Sequence, residues 1–266
     1  MKHTFSQYRP EVVIHSAAHK HVPLMEENPI AAVKNNIIGT RNLMYAAEHY
    51  KVERFIMIST DKAVNPANIM GASKRIAEQI IQAKATTART KFIAVRFGNV
   101  IGSNGSVIPI FRNQIQNGGP VTVTHPEVKR YFMTASEAAQ LVLQAGAIGK
   151  NGEILILDMG EQINIVDLAK NLIALSGFEL DRDIEIEFIG LRHGEKMHEE
   201  MLLDIEHDKA TKHDKIYIAQ PSDFNLKKLH KDIKELERLA NLMSNSKIID
   251  KIREMVPNYS PNGDKR

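Results

Sequence analysis

Apolar residues along this chain gather in short β-branched runs, and between the runs they recur every three or four positions. Pro10 breaks the chain, and Val12-Val13-Ile14-His15-Ser16-Ala17-Ala18 then reads as a buried strand. Asn28-Pro29 opens a helix, with Asn28 as N-cap, that runs to about Tyr50 and aligns Ile30, Val33, Ile37, Leu43 and Met44. Arg54–Ser59 is a second buried strand, Ile69 to about Thr86 a helix, and Lys91–Arg96 a third strand. Buried strands spaced by long helices predict βαβ units, hence an α/β fold with a parallel sheet. Beyond about residue 105 the elements shorten. Helices are predicted over 106–117, 135–148 and 164–176, and strands over 121–123, 153–158 and 184–188. A helix over 223–255 and a frayed tail, PNYSPNGDKR, close the chain.

Composition narrows the function classes. The 266 residues are 43% hydrophobic and 25% charged, ordinary for a globular chain. With no cysteine, a disulfide scaffold, a thiolate zinc site and a thiol nucleophile are excluded. A net charge of +3 without a Lys/Arg block argues against nucleic acid as a partner. No apolar stretch approaches the ~20 residues of a membrane span. The start, MKHTFSQYRP, lacks the apolar core of a signal peptide, so a cytoplasmic chain is expected.

In open α/β sheets, ligands bind beyond the carboxyl ends of the strands. Three such ends carry chemistry here. Ser16-Ala17-Ala18-His19-Lys20-His21 lets a flat ligand approach the backbone, or simply packs Ala17 and Ala18 under a helix. Ser59-Thr60-Asp61-Lys62 places a hydroxyl, an acid and an amine in a row, serving either proton transfer or a polar turn with a local ion pair. Met70 and Lys74 lie one helical turn apart. A tyrosine at position 70 would complete the YxxxK pair of short-chain dehydrogenases; with Met70, Lys74 alone reads as a surface lysine. His19 and His21 have no third ligand at metal spacing, and no metal site is expected.

Seven segments together carry a family resemblance: AAHKHVPLMEENP, NNIIGT, ISTDKAVNPANIMGASKR, VRFGNVIGSNGSVIP, VTVTHPEVKRYFMT, ILDMGEQINIVDLA and GLRHGEKMHEEML. Their order and spacing resemble the extended short-chain dehydrogenase/reductase superfamily. More narrowly they are similar to bacterial UDP-N-acetylglucosamine 4,6-dehydratases, closest to the large membrane-anchored type with Met in place of Tyr. The resemblance covers roughly residues 10–205 and implies a mechanism. NAD oxidises the sugar at C4, a base removes the C5 proton, water leaves from C6, and the hydride returns to C6. It implies Lys62 as the C5 base and Asp61 as the C6 acid, with Thr60 helping at the C4 hydroxyl because Met70 cannot. A lysine base must be neutral, so partial burial and a cationic neighbour are expected to lower the Lys62 pKa. Lys74 is implied at the nicotinamide ribose, Ala17, Ala18 and Ser59 along the cofactor, and Asn36 beside the active site. Lys20, Asn99, Ser106 and Val107 are implied at the substrate, with Arg130, Arg192 and Glu195 at the UDP moiety. His193 replaces the family's usual proline and is expected on the outside of its loop. The resemblance also implies a homodimer through the helices starting near Pro29 and Ile69.

The fold implied is an incomplete Rossmann-like sheet with a smaller α/β substrate-binding domain. The expected division is 1–120 for the partial NAD-binding domain, 121–220 for the nucleotide-sugar domain and 221–266 for C-terminal helices and tail. A GxGxxG turn opening a crossover helix normally cradles the NAD diphosphate. Neither Gly102-Ser103-Asn104-Gly105 nor Gly118-Gly119 stands in that setting. The expectation is that the chain begins inside the nucleotide fold, without its first strands, and alone binds NAD poorly and has little or no dehydratase activity. Two other readings remain: an epimerase or reductase of the same superfamily, and a catalytically silent UDP-sugar-binding fragment.

Overall fold

The computed structural model describes residues 2–201, 209–219 and 225–261. In chain order the first elements are α1 (Lys2–Tyr8), β1 (Val12–His15), α2 (Val22–Glu27), α3 (Pro29–Ala32), a π-helical segment (Val33–Gly39), α4 (Thr40–His49), β2 (Arg54–Ile58), a 3-10 turn (Asp61–Ala63), α5 (Ile69–Ala85), β3 (Lys91–Arg96) and β4 (Asn99–Val100). Next come α6 (Val107–Gln116), β5 (Val121–Val123), β6 (Lys129–Arg130), β7 (Phe132–Met133), α7 (Ala135–Ile148), β8 (Ile154–Leu157), β9 (Ile163–Asn164), α8 (Ile165–Leu175) and β10 (Ile186–Phe188). The last are β11 (Lys209–Ala210), β12 (Ile216–Ala219), α9 (Leu226–Asn241) and α10 (Asn245–Met255).

The main sheet has the order β1-β2-β3-β8-β12-β11. Its first four strands are parallel, and β12 and β11 add antiparallel pairs. Strand alternation explains the unbroken apolar runs in the sequence. Phe55, Met57, Phe92, Ala94, Ile154 and Ile156 face a core shared with α4, α5, α9 and α10. Ile56, Ile93, Val95, Leu155 and Leu157 face the opposite core, under α7. A third core joins α6 and α8 to β5 and β10 in the smaller lobe. Strand β1 is the sheet edge, with Val12 50% and Ile14 45% exposed.

Several expectations need correction. The sheet does not respect a division at residue 120: β8 and β12 lie beyond it yet belong to the main sheet. Asn28 makes no side-chain cap; its amide donates to the Leu24 carbonyl at the end of α2, a helix too short to leave a periodic signal. Asn164 does cap α8, accepting from the amides of Val166 and Asp167. The helix expected over 223–255 breaks at 242–244, where Met243 takes φ 55°; residues 220–224 lie outside the described set. The tail is not frayed throughout: Tyr259 is buried, and the Ser260 amide donates to the Pro66 carbonyl at 3.0 Å. The homodimer is not supported, because the chain's own α9 and α10 cover the long helices. Arg41 of α4 clamps Glu237 of α9 with two bonds of 2.8 and 2.9 Å. Among the described residues no helix is long and apolar enough to cross a membrane.

Glu78 on α5 is fully buried and binds Arg96 through Nε at 2.8 Å and Nη2 at 2.7 Å, Arg75 at 3.0 Å and the Ser59 hydroxyl at 2.7 Å. Burial alone would raise its carboxyl, but the two guanidiniums and the Ser59 bond hold it down at about 2, below the ordinary 4.5. Glu78→Ala should therefore lower unfolding free energy at pH 7 by about 3–5 kcal/mol in urea, because two buried cations lose their partner. In the unaltered chain the Glu78 contribution is complete above pH 4.5 and is lost as pH falls toward 2, a loss that the alanine variant should not show.

Candidate functional site

The carboxyl ends of β1, β2 and β3 open into a cavity of about 480 Å³. Its walls include Ala18 and Lys20 after β1, Ser59, Thr60 and Lys62 after β2, and Phe97, Gly98 and Asn99 after β3. Helix α5 contributes Met70 and Lys74, and the smaller lobe contributes Ser106, Arg130, Arg192, Glu195 and Glu199. Residues separated by almost the whole described chain thus converge where an α/β sheet places its ligands.

Local sequence explains the convergence. Thr60 is extended and N-caps the 3-10 turn, its hydroxyl accepting from the Lys62 amide. Gly71 lets α5 press against that turn: a Cβ there would run into the Lys62 carbonyl. Gly98 has a similar part, since a Cβ would lie 2.9 Å from Tyr131 Cβ and 3.1 Å from Asp61 Oδ2. Asn68 caps α5 through the Gly71 amide and donates to the Gly194 carbonyl, so the same residue anchors the loop bearing Arg192 and Glu195.

Asp61 is fully buried beneath the cavity rather than on its wall. Its Oδ1 accepts from Thr60 Oγ1 at 2.8 Å, the Lys62 amide at 2.9 Å and Lys62 Nζ at 3.0 Å. Lys62 Nζ also lies 3.5 Å from Asn99 Oδ1 and 3.8 Å from Glu199 Oε1. This overturns the expected lowering of the Lys62 pKa. Burial does push the amine down, and Arg130 adds to that, but Asp61 and Glu199 reverse it and hold Lys62 above the ordinary lysine range. Lys62 rests as an ammonium.

Lys74 is buried, not a surface lysine, and its Nζ has no hydrogen-bond or ion-pair partner among the described residues. Desolvation lowers it from 10.5 to about 8, against an opposing pull from Glu78. Asn36 lies behind the wall, inside the π-helical segment. It accepts from the His19 amide at 2.8 Å, donates to the His19 carbonyl at 3.0 Å and donates to Ser73 Oγ at 3.0 Å. It thereby fixes the β1 loop to α5, the kind of position π-turns often serve. Thr40 donates to the Asn36 carbonyl, leaving its oxygen to accept from His15 Nε2–H at 2.8 Å. Burial, with Lys74 nearby, lowers His15 to about 4 and keeps it neutral.

Two residues are not brought to the cavity. Ala17, in the loop after β1, is exposed and does not line the cavity, although Ser16 and Ala18 on either side of it do. Val107 turns into the third core at the first turn of α6, while Ser106 lines the cavity with a buried, unpartnered hydroxyl. Arg130 and Glu195 bind each other at 2.8 Å, and Glu195 also accepts from Thr124. Arg192 is exposed, and its guanidinium has no hydrogen bond or ion pair among the described residues. His193 is exposed at the rim of the cavity, its Nδ1 3.3 Å from Glu26 Oε2. Among the described residues no His, Asp or Glu cluster is arranged to hold a metal. Glu199 escaped the sequence reading: it is 5% exposed, yet nothing in its spacing separates it from exposed Glu200 beside it.

Known proteins are similar to this chain in sequence and in fold. The capsular polysaccharide biosynthesis protein CapD of Staphylococcus aureus is 59% identical over 80% of this chain and 35% of its own length. The probable polysaccharide biosynthesis protein EpsC of Bacillus subtilis is 57% identical over 88% of this chain and 39% of its own. The chain thus spans little more than a third of these relatives. A UDP-glucose 4-epimerase of Rickettsia rickettsii is 41% identical over 74% of this chain and 58% of its own length. Among solved structures, Pen from Bacillus thuringiensis superposes with a TM-score of 0.72 at 38% identity, over 80% of this chain and 66% of that one. Two NAD complexes share the fold at lower identity. One is the UDP-glucose 4-epimerase of Thermus thermophilus, with a TM-score of 0.67 at 21% identity over 75% of this chain and 71% of that one. The other is the dTDP-glucose 4,6-dehydratase DesIV of Streptomyces venezuelae, with a TM-score of 0.65 at 19% identity over 75% of this chain and 66% of that one. With residues 1–221 matching the polysaccharide biosynthesis protein family, the chain belongs to that family, within the extended short-chain dehydrogenases/reductases.

Proposed function

We propose that this chain carries the sugar-processing portion of an NAD-dependent 4,6-dehydratase. Its substrate is a UDP-N-acetylhexosamine, with UDP-N-acetylglucosamine as first candidate, and its product a 4-keto-6-deoxy sugar for polysaccharide synthesis. The observation that carries this reading is the Asp61–Lys62 contact of 3.0 Å at the cavity floor. Losing water across C5 and C6 needs a base at one carbon and an acid at the other, whereas 4-epimerisation needs neither. Nucleotide-sugar modification is the coarser activity that the names of the relatives support.

When bound, NAD supplies reversible oxidation at sugar C4, which acidifies the C5–H bond. The cavity fits its nicotinamide-ribose end: the unpartnered Lys74 ammonium and Ser59 stand beside Ala18, where a ribose diol finds a donor. The sequence holds no GxGxxG turn for the diphosphate, so the fit covers that end alone. Lys62 takes the C5 proton, and Asp61 is the carboxyl nearest to it for the acid's part. Met70 can accept no proton, which leaves Thr60, bonded to Asp61, as the hydroxyl beside the C4 oxygen. Arg192, unpaired among the described residues, is a cation for the diphosphate of UDP, and Arg130 joins it by exchanging Glu195 for phosphate oxygens.

Assayed at saturating NAD with UDP-N-acetylglucosamine, the protein should yield a product lighter by one water, read by mass; an epimerase would leave the mass unchanged. Lys62→Ala should abolish exchange of the C5 proton with solvent deuterium, and exchange at the unaltered rate would remove Lys62 from its role. Lys74→Met should raise the thermal midpoint of the ligand-free chain at pH 7, since a desolvated ammonium disappears. The gain should narrow as pH rises past 8, where the folded chain sheds that proton before the unfolded one does at 10.5.

A further inference from the structure

The chain's net charge is only +3, yet its cations are not evenly spread. Helix α9 turns Leu229, Ile233, Leu236, Leu239 and Ala240 into the core. On the opposite side Lys227, Lys231, Lys234, Arg238 and Leu242 follow one another every three or four positions and form one helical stripe. All five are exposed. Lys227, Lys231 and Lys234 form no ion pair among the described residues, whereas the acids of α9 are each matched. Asp232 is bound by Lys251, Glu235 by Arg238 and Glu237 by Arg41. On the neighbouring α10, Glu254 is held by Lys228 at 3.3 Å and Lys251 at 2.8 Å. Three uncompensated positive charges thus lie within about 10 Å of helix axis. Like charges at these spacings destabilise a helix, so folding alone does not account for them.

The stripe ends on apolar residues. Leu242 is 62% and Met243 75% exposed in the turn between α9 and α10. Met243 takes φ 55°, a conformation that favours glycine or asparagine over a bulky side chain. Exposed Lys247 follows in the first turn of α10. A soluble polyanion would match the lysines but offer nothing to Leu242 and Met243. An anionic bilayer offers phosphates to the ammoniums and an acyl boundary to the apolar tip. Its flat surface also suits a 16-residue helix, about 24 Å long.

We propose that the outer face of α9, from Lys227 to the Leu242–Met243 turn, is a docking surface for an anionic phospholipid bilayer. The lysines meet the lipid phosphates, and Leu242 and Met243 enter the headgroup layer. The face shares no residue with the walls of the cavity. Docking there holds the cavity at a membrane surface by reversible, salt-dependent contact and needs no spanning helix.

The test is sedimentation with vesicles of equal parts phosphatidylglycerol and phosphatidylcholine. The unaltered chain should pellet with them at about 0.1 M salt and be released at about 1 M. It should stay in solution with vesicles of phosphatidylcholine alone. K227E/K231E/K234E should bind the anionic vesicles at least about 100-fold more weakly; if it does not fold, K227Q/K231Q/K234Q takes its place in the same comparison. The chain has no tryptophan, so Leu242→Trp adds a single fluorophore, whose emission should move to the blue on the anionic vesicles. No pelleting with anionic vesicles, equal pelleting with neutral ones, or undiminished binding by the lysine variant overturns the proposal. Tryptophan emission that keeps its solvent position in the pelleted complex also overturns it, because the lysines would then be meeting a polyanion and not a bilayer.

Discussion

A carboxylate buried between two guanidiniums is expensive to desolvate and holds only where the geometry is closed on every side. Glu78 meets that condition, and its partners are not arbitrary: Ser59 follows β2, Arg96 ends β3, and Arg75 shares α5 with Glu78. The junction fixes the rotation and height of α5 against the carboxyl ends of the two central strands. Lys74 and Met70 lie one and two turns up the same helix, so their approach to Thr60 and Lys62 is set there. Arg96 Nη1 also reaches the Met201 carbonyl at 3.3 Å, which extends the constraint to the segment bearing Glu199.

From that frame the cavity takes an unusual electrostatic character. Lys74 is a buried cation without a partner, whereas Lys62 is a cation between two carboxyls. The same residue type is pushed in opposite directions, down at Lys74 by desolvation and up at Lys62 by its neighbours. An amine lowered toward neutrality suits contact with a ribose hydroxyl. An amine kept charged suits a proton store, provided a second group takes the proton when carbon chemistry begins. Environments that separate like groups in this way are the usual mark of assigned acid and base roles.

The strands and long helices were legible because buried parallel strands are continuous β-branched runs and long helices repeat a full period several times. Short elements were not. Helix α2 spans Val22–Glu27 and α1 Lys2–Tyr8, each too brief for a period to emerge. Where motif and strand end coincide, at Thr60, Lys62 and Asn99, the residues singled out in the sequence come together at the cavity. The site was misread where side-chain direction decides: Ala17 and Val107 sit beside cavity residues in sequence and point elsewhere. The charge on Lys62 was misjudged because Glu199 is distant in sequence, and only the fold brings its carboxylate near. Coverage of the long helices by α9 and α10 was equally hidden, since an amphipathic helix does not announce which surface it covers.

Among the described residues, the buried unpaired groups gather at the cavity, with the Gln82 amide on α5 as the exception. Asp61 Oδ2, Ser106 Oγ and Glu199 Oε2 are buried without hydrogen bonds, and Lys74 Nζ lacks a partner; all four belong to the cavity or its floor. Each such group costs on the order of 1–3 kcal/mol, and a core under selection for stability alone would pair them or replace them with apolar residues. A polyhydroxylated ligand reverses the sign of that cost, because each hydroxyl can donate to a carboxylate and accept from an ammonium. That cost is recovered where a bound ligand meets the four groups, and a ligand that fails to meet them recovers less of it.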